Sequence, residues 1–253
     1  MRTIADSSVL VFVTSLVMLW ISAQIGDVWR RSVQPFQDGE RQDFEVVVAA
    51  TLTLLGLIIG FSFSMVISRY DQRKNYEEEE ANAIGTEYVR AGLLPAGDAA
   101  KVRELLRNYL NQRVLFYSIR DEAQLGQVNS DTSKLEEELW SSVQGVAAVK
   151  QNPVVALDVA GMNDVVNSRG YTQAAWWNRI PVSAWTLMAA VALSCSLLIG
   201  YGARRRKLFL FLVLPLVTSI AFFLIADIDS PRRGIIRVLP RNLANLSQSL
   251  GAQ

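Results

Sequence analysis

One face of an apolar stretch carries the residues with the most distinctive chemistry. Thr53, Leu57, Phe61, Ser64 and Ser68 follow one another at steps of three or four, which places side chains on one face of a helix. A face that mixes apolar and hydroxyl groups is typical of a narrow pore that gates by dewetting. The alternative from spacing alone is that these residues fill the core of a four-helix bundle.

A second face of the same stretch is built for close packing. Gly56 and Gly60 form a G-x-x-x-G pattern, which lets the backbone of another helix approach closely in a membrane. We therefore predict that these two glycines are helix-packing positions, beside a pore-lining face.

Four consecutive carboxylates follow, at Glu77, Glu78, Glu79 and Glu80. On a helix they spread over a full turn, so one interpretation is a solvated surface. The other is an acidic ring, repeated around an oligomer axis, that holds or repels ions at a vestibule. Carboxylates suit calcium, but the EF-hand spacing is missing, and we predict no metal site.

The elements that position these residues are membrane helices. Four stretches reach the roughly 20 apolar residues that a span needs, at 8–26, 45–68, 182–202 and 208–227. The second continues without a break signal into a charged helix that reaches residue 91. The first could instead be a cleaved signal peptide, since only Arg2 precedes it as a charged residue, but its length and Trp20 favour a retained span.

The polar segment between spans 2 and 3 is predicted to be helical. Apolar residues recur at helical spacing over 98–119, 133–149 and 153–168. The second of these opens with Ser133 and Glu136 at capping-box spacing, and the third with Pro153. The predicted class is all-α, an integral membrane protein with four transmembrane helices and a helical extramembrane domain. The predicted divisions are transmembrane helices 1 and 2 at 1–68, the helical domain at 69–181, transmembrane helices 3 and 4 at 182–227, and a C-terminal tail at 228–253.

Composition excludes several functions. The chain of 253 residues has no His, one Cys and a net charge of +1, which removes the commonest general base and any multi-cysteine metal site. Cys195 lies in an apolar run and is predicted to be a packing residue. Phosphate-binding glycine motifs are missing from the sequence as well. We predict no enzyme activity, no cofactor and no nucleic-acid partner; the lipid bilayer is the expected surrounding.

With four spans, both termini and residues 69–181 lie on one side of the membrane. Basic residues flank the spans on both sides of the membrane. The positive-inside rule therefore favours cytoplasmic termini only by a small margin. The predicted location is the bacterial inner (plasma) membrane.

Three stretches carry a resemblance to a known family. They are GFSFSMVISRYDQRKNYEEEEANAIGTEYVRAGLLP at 60–95, NRIPVSAW at 178–185 and DIDSPRRGIIRV at 227–238. In these, and in the number and order of its spans, the chain resembles the bestrophin-like family of four-span membrane proteins. It is more distantly similar to the bestrophin anion channels.

That resemblance implies a pore. In bestrophins the second transmembrane helix lines an apolar neck of a pentameric anion channel, with an Arg eight residues beyond a Gly-Phe pair. Gly60, Phe61 and Arg69 match that arrangement, and Leu57 matches the chemistry of the neck. Thr53 departs from it, because an aliphatic residue is usual there.

Calcium control is not expected from the resemblance. Bestrophins that respond to calcium use an acidic cluster after the last span, whereas this sequence has only Asp227 and Asp229, followed by arginines. They are instead predicted to pair locally or to cap the end of the fourth span.

The favoured hypothesis is a homo-oligomeric, pentameric ion channel that conducts inorganic anions, with the second helix lining the pore. The acidic tetrad leaves a cation channel as one alternative. Another is a non-conducting scaffold whose helical domain docks a partner, suggested by the apolar faces at Leu135, Leu139 and Trp140.

Overall fold

The computed structural model describes residues 7–32, 36, 39–149, 152–203 and 208–251. Within these ranges the chain forms eight α-helices and no β-strand. The helices are α1 (Ser8–Ser32), α2 (Glu40–Arg90), α3 (Ala96–Ser118), α4 (Glu122–Val149), α5 (Pro153–Trp177), α6 (Val182–Gly202), α7 (Leu208–Asp229) and α8 (Arg241–Gly251). The all-α prediction is confirmed.

Four helical stretches are long and apolar enough to cross a membrane, as predicted. They lie within Ser8–Ser32, Glu40–Leu93, Pro153–Gly202 and Phe211–Asp229. The predicted second span and the charged segment after it belong to one helix, α2, which runs for 51 residues. Its sequence contains no proline that would interrupt the backbone hydrogen bonds.

The chain divides into two compact units. One contains the described residues within Met1–Arg69 and Arg179–Arg237, and the other those within Tyr70–Asn178 and Val238–Gln253. Helix α2 therefore contributes its apolar part to the first unit and its charged part to the second. The last helix, α8, lies in a segment that we predicted to be a separate tail, and it belongs to the second unit.

In the first unit, α1 packs against α6 through two glycines that the sequence analysis did not single out. A methyl group added at Gly26 would overlap the carbonyl oxygen of Leu197, and one added at Gly200 would overlap that of Ala23. The two backbones are therefore in contact, which is the role that small residues have at helix interfaces in membranes. Ser22 adds a hydrogen bond to the Leu193 carbonyl oxygen at 2.8 Å.

We expect Gly200→Ala to destabilise the first unit by about 1–3 kcal/mol, because the new methyl group forces two backbones apart. Alanine otherwise favours a helix over glycine by about 1 kcal/mol. Gly145→Ala is the matched control, since no atom lies within 4 Å of the added methyl group. Thermal unfolding in detergent should show a lower midpoint for the first variant and an equal or higher one for the second. Equal midpoints for the two variants would contradict the close contact.

In the second unit, α3, α4 and α5 surround one apolar core. Tyr109, Leu106, Leu139 and Met162 are completely buried in it. Leu135 and Trp140 pack against the same core, so the apolar faces that suggested a docking partner are used inside the unit. Pro153 begins α5 as predicted, and Asn152 caps it by accepting a hydrogen bond from the Val155 amide at 2.9 Å.

The predicted start of α4 is wrong. The helix begins eleven residues earlier than position 133, at Glu122, and Asp121 caps it by accepting the amides of Ala123 and Gln124, each at 3.0 Å. Ser133 donates instead to the Asn129 carbonyl oxygen inside the helix. Ser133 and Glu136 both bind Arg169 of α5, so their spacing marks a helix face that contacts α5.

Candidate functional site

The five predicted pore-lining residues, Thr53, Leu57, Phe61, Ser64 and Ser68, are all exposed on α2. The same helix contacts its own unit through Leu55, Ser62 and Val66, which are buried. Since successive helical residues turn by about 100°, the exposed set points roughly 160° away from that buried line. The predicted face is therefore turned away from the rest of the first unit.

The apolar part of α2 has little cover from its own chain. Only 6% of its most apolar window is buried, compared with 50% for the fourth span. Phe61 is 71% exposed and Leu57 52%. Apolar side chains in a membrane need lipid or another protein surface around them rather than burial in their own chain. This face is thus free to meet lipid, a second subunit or a water-filled axis.

Gly56 and Gly60 are also uncovered within the chain. Beyond the neighbouring backbone of α2 itself, no atom of the described residues lies within 4 Å of a methyl group added at either position. The close helix contact of the first unit is made at Gly26 and Gly200 instead. A packing role for Gly56 and Gly60 therefore requires a partner other than the described part of this chain.

The four consecutive glutamates divide into two buried and two exposed residues. Glu78 and Glu79 are exposed, while Glu77 and Glu80 are 1% and 0% exposed. Glu77 accepts the Leu243 amide at 3.0 Å and the Asn242 side-chain amide at 2.7 Å. It thereby caps the N-terminus of α8, where backbone amides have no helical acceptor. Two of the four vestibule candidates are thus bound inside the second unit.

Glu80 is the centre of a buried charge network. It pairs with Arg113 of α3, whose side chain is also fully buried, and accepts hydrogen bonds from Tyr117 at 3.3 Å and Thr172 at 3.0 Å. Burial lowers the pKa of Arg113, but the charge and hydrogen bond of Glu80 together with the nearby Tyr109 and Tyr117 outweigh it, so the pKa of Arg113 is raised. Burial and the same carboxylate raise the pKa of Tyr117. Both Arg113 and Tyr117 therefore keep their protons.

Asp227 and Asp229 have structural partners at the end of the fourth span. Asp227 accepts the amides of Ile235 at 2.9 Å and Ile236 at 2.8 Å, and the Ser8 hydroxyl at 2.9 Å. Asp229 accepts the Ile180 amide at 3.2 Å and lies 3.5 Å from Arg69. The predicted local role fits only the Ile235 and Ile236 amides, eight and nine residues from Asp227, whereas Ser8, Ile180 and Arg69 lie far away in sequence. Among the described residues, no cluster of three or more acidic, His or Cys side chains could hold a metal ion.

A family model described as a Bestrophin-like domain matches residues 11–243. The chain belongs to the bestrophin-like family. Among proteins with curated functions, none matches this bestrophin-like chain. The resemblance that the motifs at 60–95, 178–185 and 227–238 predicted is confirmed.

Solved structures show the same fold. A bacterial bestrophin homologue from Klebsiella pneumoniae is 15% identical, with a TM-score of 0.63 over 95% of this chain and 98% of that one. A variant of a Klebsiella pneumoniae homologue is 12% identical, with a TM-score of 0.67 over 94% and 97%. A variant of a membrane protein is 14% identical, with a TM-score of 0.65 over 96% of each chain. This bestrophin-like chain is an integral membrane protein with an ion-channel-like fold.

Proposed function

We propose that this protein is a homo-oligomeric, pentameric channel for inorganic anions, with α2 lining the pore. The observation that carries the proposal is the exposed face from Thr53 to Ser68, which points away from the unit that holds it. In a ring of subunits this face would line the axis. Membership of a channel-like family supports the same arrangement.

Phe61 and Leu57 would form the constriction of the proposed pore. Both side chains are apolar and exposed, so an ion at a ring of such groups must shed water without gaining a new ligand. Such a neck favours weakly hydrated ions. Ser64 and Ser68, one and two turns later, would replace part of the lost hydration with hydroxyl groups. The Thr53 hydroxyl donates to the Ala49 carbonyl oxygen at 2.9 Å, which satisfies its hydrogen.

Gly56 and Gly60 would lie at the contact between neighbouring α2 helices in the ring. Their open surfaces within one chain support this role, because a second helix could approach their backbone without displacing a side chain. Glu78 and Glu79 remain candidates for an acidic vestibule.

We also propose that the protein lies in the bacterial inner membrane with cytoplasmic termini, because an even number of spans places both termini on one side and the flanking basic residues favour the cytoplasm for that side.

The proposal predicts that Phe61→Ala raises the single-channel current in planar bilayers with asymmetric salt. Removing the ring lowers the dehydration barrier, and a change of about 0.7–1.4 kcal/mol corresponds to about threefold to tenfold in current. Phe63→Ala is the matched control, since Phe63 lies two residues along the same helix and points roughly 160° away. Its current should stay near that of the unmodified protein.

Three outcomes would count against parts of the proposal. No current from the purified protein, with no effect of Phe61→Ala, would exclude the pore. A reversal potential set by cations would keep the pore and replace anions with cations. A monomer or dimer in mild detergent would exclude a fivefold axis and favour the non-conducting scaffold.

A further inference from the structure

In the second unit, charged residues occupy the buried side of α2. Arg73, Glu77, Glu80 and Glu87 are each no more than 1% exposed, and their spacing places them within about 40° of one line along the helix. Three of them have hydrogen-bond or ion-pair partners. Arg73 donates to the carbonyl oxygens of Ala175 and Asn178, Glu77 caps α8, and Glu80 pairs with Arg113.

Glu87 differs, because it faces another carboxyl group. Asp158 of α5 lies within hydrogen-bonding reach of it and is 2% exposed. Apart from each other, none of the four carboxyl oxygens has a hydrogen-bond partner among the described residues. Gly161 of α5 leaves room for the Glu87 carboxyl group, because a methyl group added at Gly161 would overlap it.

The charges around the pair do not compensate two carboxylates. Arg90 of α2 lies 3.9 Å from Glu87, beyond hydrogen-bond distance, and is partly exposed. Asp164 of α5 adds a further negative charge. Burial, the bond to Asp158 and its charge raise the pKa of Glu87 to about 8, against the opposing effect of Arg90. Burial also raises the pKa of Asp158.

We propose that Glu87 and Asp158 form a proton-binding site that holds α5 against α2. One carboxyl group keeps its proton and donates it to the other, which supplies the donor that the surroundings lack. When that proton is released to solvent, two carboxylates face each other in a dry interior and must separate or take up water. No third acidic or thiol side chain within the described ranges completes a metal-binding cluster here.

Loss of the proton should loosen one end of α5 selectively. Its C-terminal half is held to α2 by Thr172, which donates to Glu80, by the Ala175 carbonyl oxygen bound to Arg73, and by Tyr171, which stacks on Tyr76 with ring centroids 6.0 Å apart. Asp158 and Gly161 lie in the N-terminal half. The switch therefore acts on the part of α5 nearest Pro153.

The direction of the pH effect follows from the raised pKa. Between the ordinary carboxyl value near 4.5 and about 8, the folded unit holds a proton that the unfolded chain has released. The contribution of this site to the free energy of unfolding is therefore fully present at low pH and is lost as pH rises through that window.

The test is hydrogen exchange and thermal unfolding of the full-length protein in detergent between pH 6 and pH 9. We expect the unmodified protein to lose about 5 °C in unfolding midpoint and to exchange amides faster at 153–162 than at 170–177 after correction for intrinsic rates. Glu87→Gln and Asp158→Asn keep a hydrogen bond without a titrating pair. The unfolding midpoint of each variant should therefore fall by less than half as much as that of the unmodified protein over the same pH range. Glu79→Gln, an exposed neighbour, should behave as the unmodified protein does.

Other results would overturn the proposal. Equal pH profiles for Glu87→Gln, Asp158→Asn and the unmodified protein would show that the pair does not control the transition. Failure of both variants to fold at pH 6 would also contradict the proposal. A neutral amide fills the space of a protonated carboxyl group, so a site that holds a proton should tolerate it. A midpoint that rises with millimolar calcium chloride at pH 9 only when both carboxyl groups are present would indicate a cation site instead.

Discussion

Replacing Glu80 with Gln is expected to destabilise the second unit by about 3–5 kcal/mol, the cost of leaving one member of a buried ion pair without its partner. Gln has nearly the same size and still accepts a hydrogen bond, so the loss reports the charge rather than a cavity. The buried charge of Arg113 depends on this carboxylate for compensation. Its Nη1 already has no hydrogen-bond partner among the described residues. In a chain of this length the unfolding midpoint should fall by about 6–20 °C.

Two further variants make the Glu80 prediction specific. Glu79→Gln removes an adjacent but exposed carboxylate and should change stability by no more than about 0.5 kcal/mol. The double variant Glu80→Met, Arg113→Met removes both charges and should recover part of the loss, because an apolar pair needs no counter-ion. The Tyr117 and Thr172 hydroxyls still lose the acceptor that Glu80 provides, so the recovery is incomplete. Similar midpoints for Glu80→Gln and Glu79→Gln would show that the pair contributes little.

Asp227→Asn is expected to destabilise the first unit by about 2–4 kcal/mol. Asp227 Oδ1 accepts the Ile235 amide and the Ser8 hydroxyl, and Oδ2 accepts the Ile236 amide. Whichever oxygen an amide group replaces, one backbone N–H then faces another N–H, which costs about 1–3 kcal/mol. The remaining bonds also lose the strength that the carboxylate charge gave them.

Asp71→Asn is the control for this second prediction, because Asp71 is exposed on α2. Thermal unfolding in detergent should separate the two variants by several degrees. Exchange of the Ile235 and Ile236 amides should also rise in Asp227→Asn alone. If those amides stay protected while the midpoint is unchanged, water or another acceptor has taken the place of the carboxylate.

The spans and the exposed α2 face were predictable because both depend on local sequence. Hydropathy over a window of about 20 residues identifies a span, and steps of three or four residues identify a helical face. The Thr53 to Ser68 set needed nothing more. Whether that face contacts water, lipid or another subunit depends on how the subunits assemble. Hydropathy and periodicity carry no information about assembly.

The roles of Glu77 and Glu80 were not predictable from a run of four like charges. Their partners Leu243 and Arg113 lie 166 and 33 residues away, and only the tertiary fold brings them close. A local signal was nevertheless present. Arg73, Glu77, Glu80, Ile84 and Glu87 recur at helical spacing, so this stripe, which includes the apolar Ile84, marked a buried side. Hydrophobicity alone missed it because four of the five residues are charged.

Gly26 and Gly200 were missed for a different reason. They lie on separate spans and form no G-x-x-x-G pattern of their own with a second glycine. Each glycine contacts backbone atoms of the other helix, so the motif is shared between α1 and α6 rather than contained in one. A search for paired glycines misses them, but each ends a pattern of two small residues four apart, Ser22–Gly26 and Ser196–Gly200, which is the more general signal of close helix packing in membranes.

The cap that Glu77 forms on α8 constrains when the second unit can mature during biosynthesis. Glu77 leaves the ribosome 166 residues before Leu243, an interval of about 8–33 s at ordinary elongation rates. During that time its carboxylate has no amide to accept and must stay hydrated. Completion of this unit therefore waits until α8 has been synthesised and has left the exit tunnel.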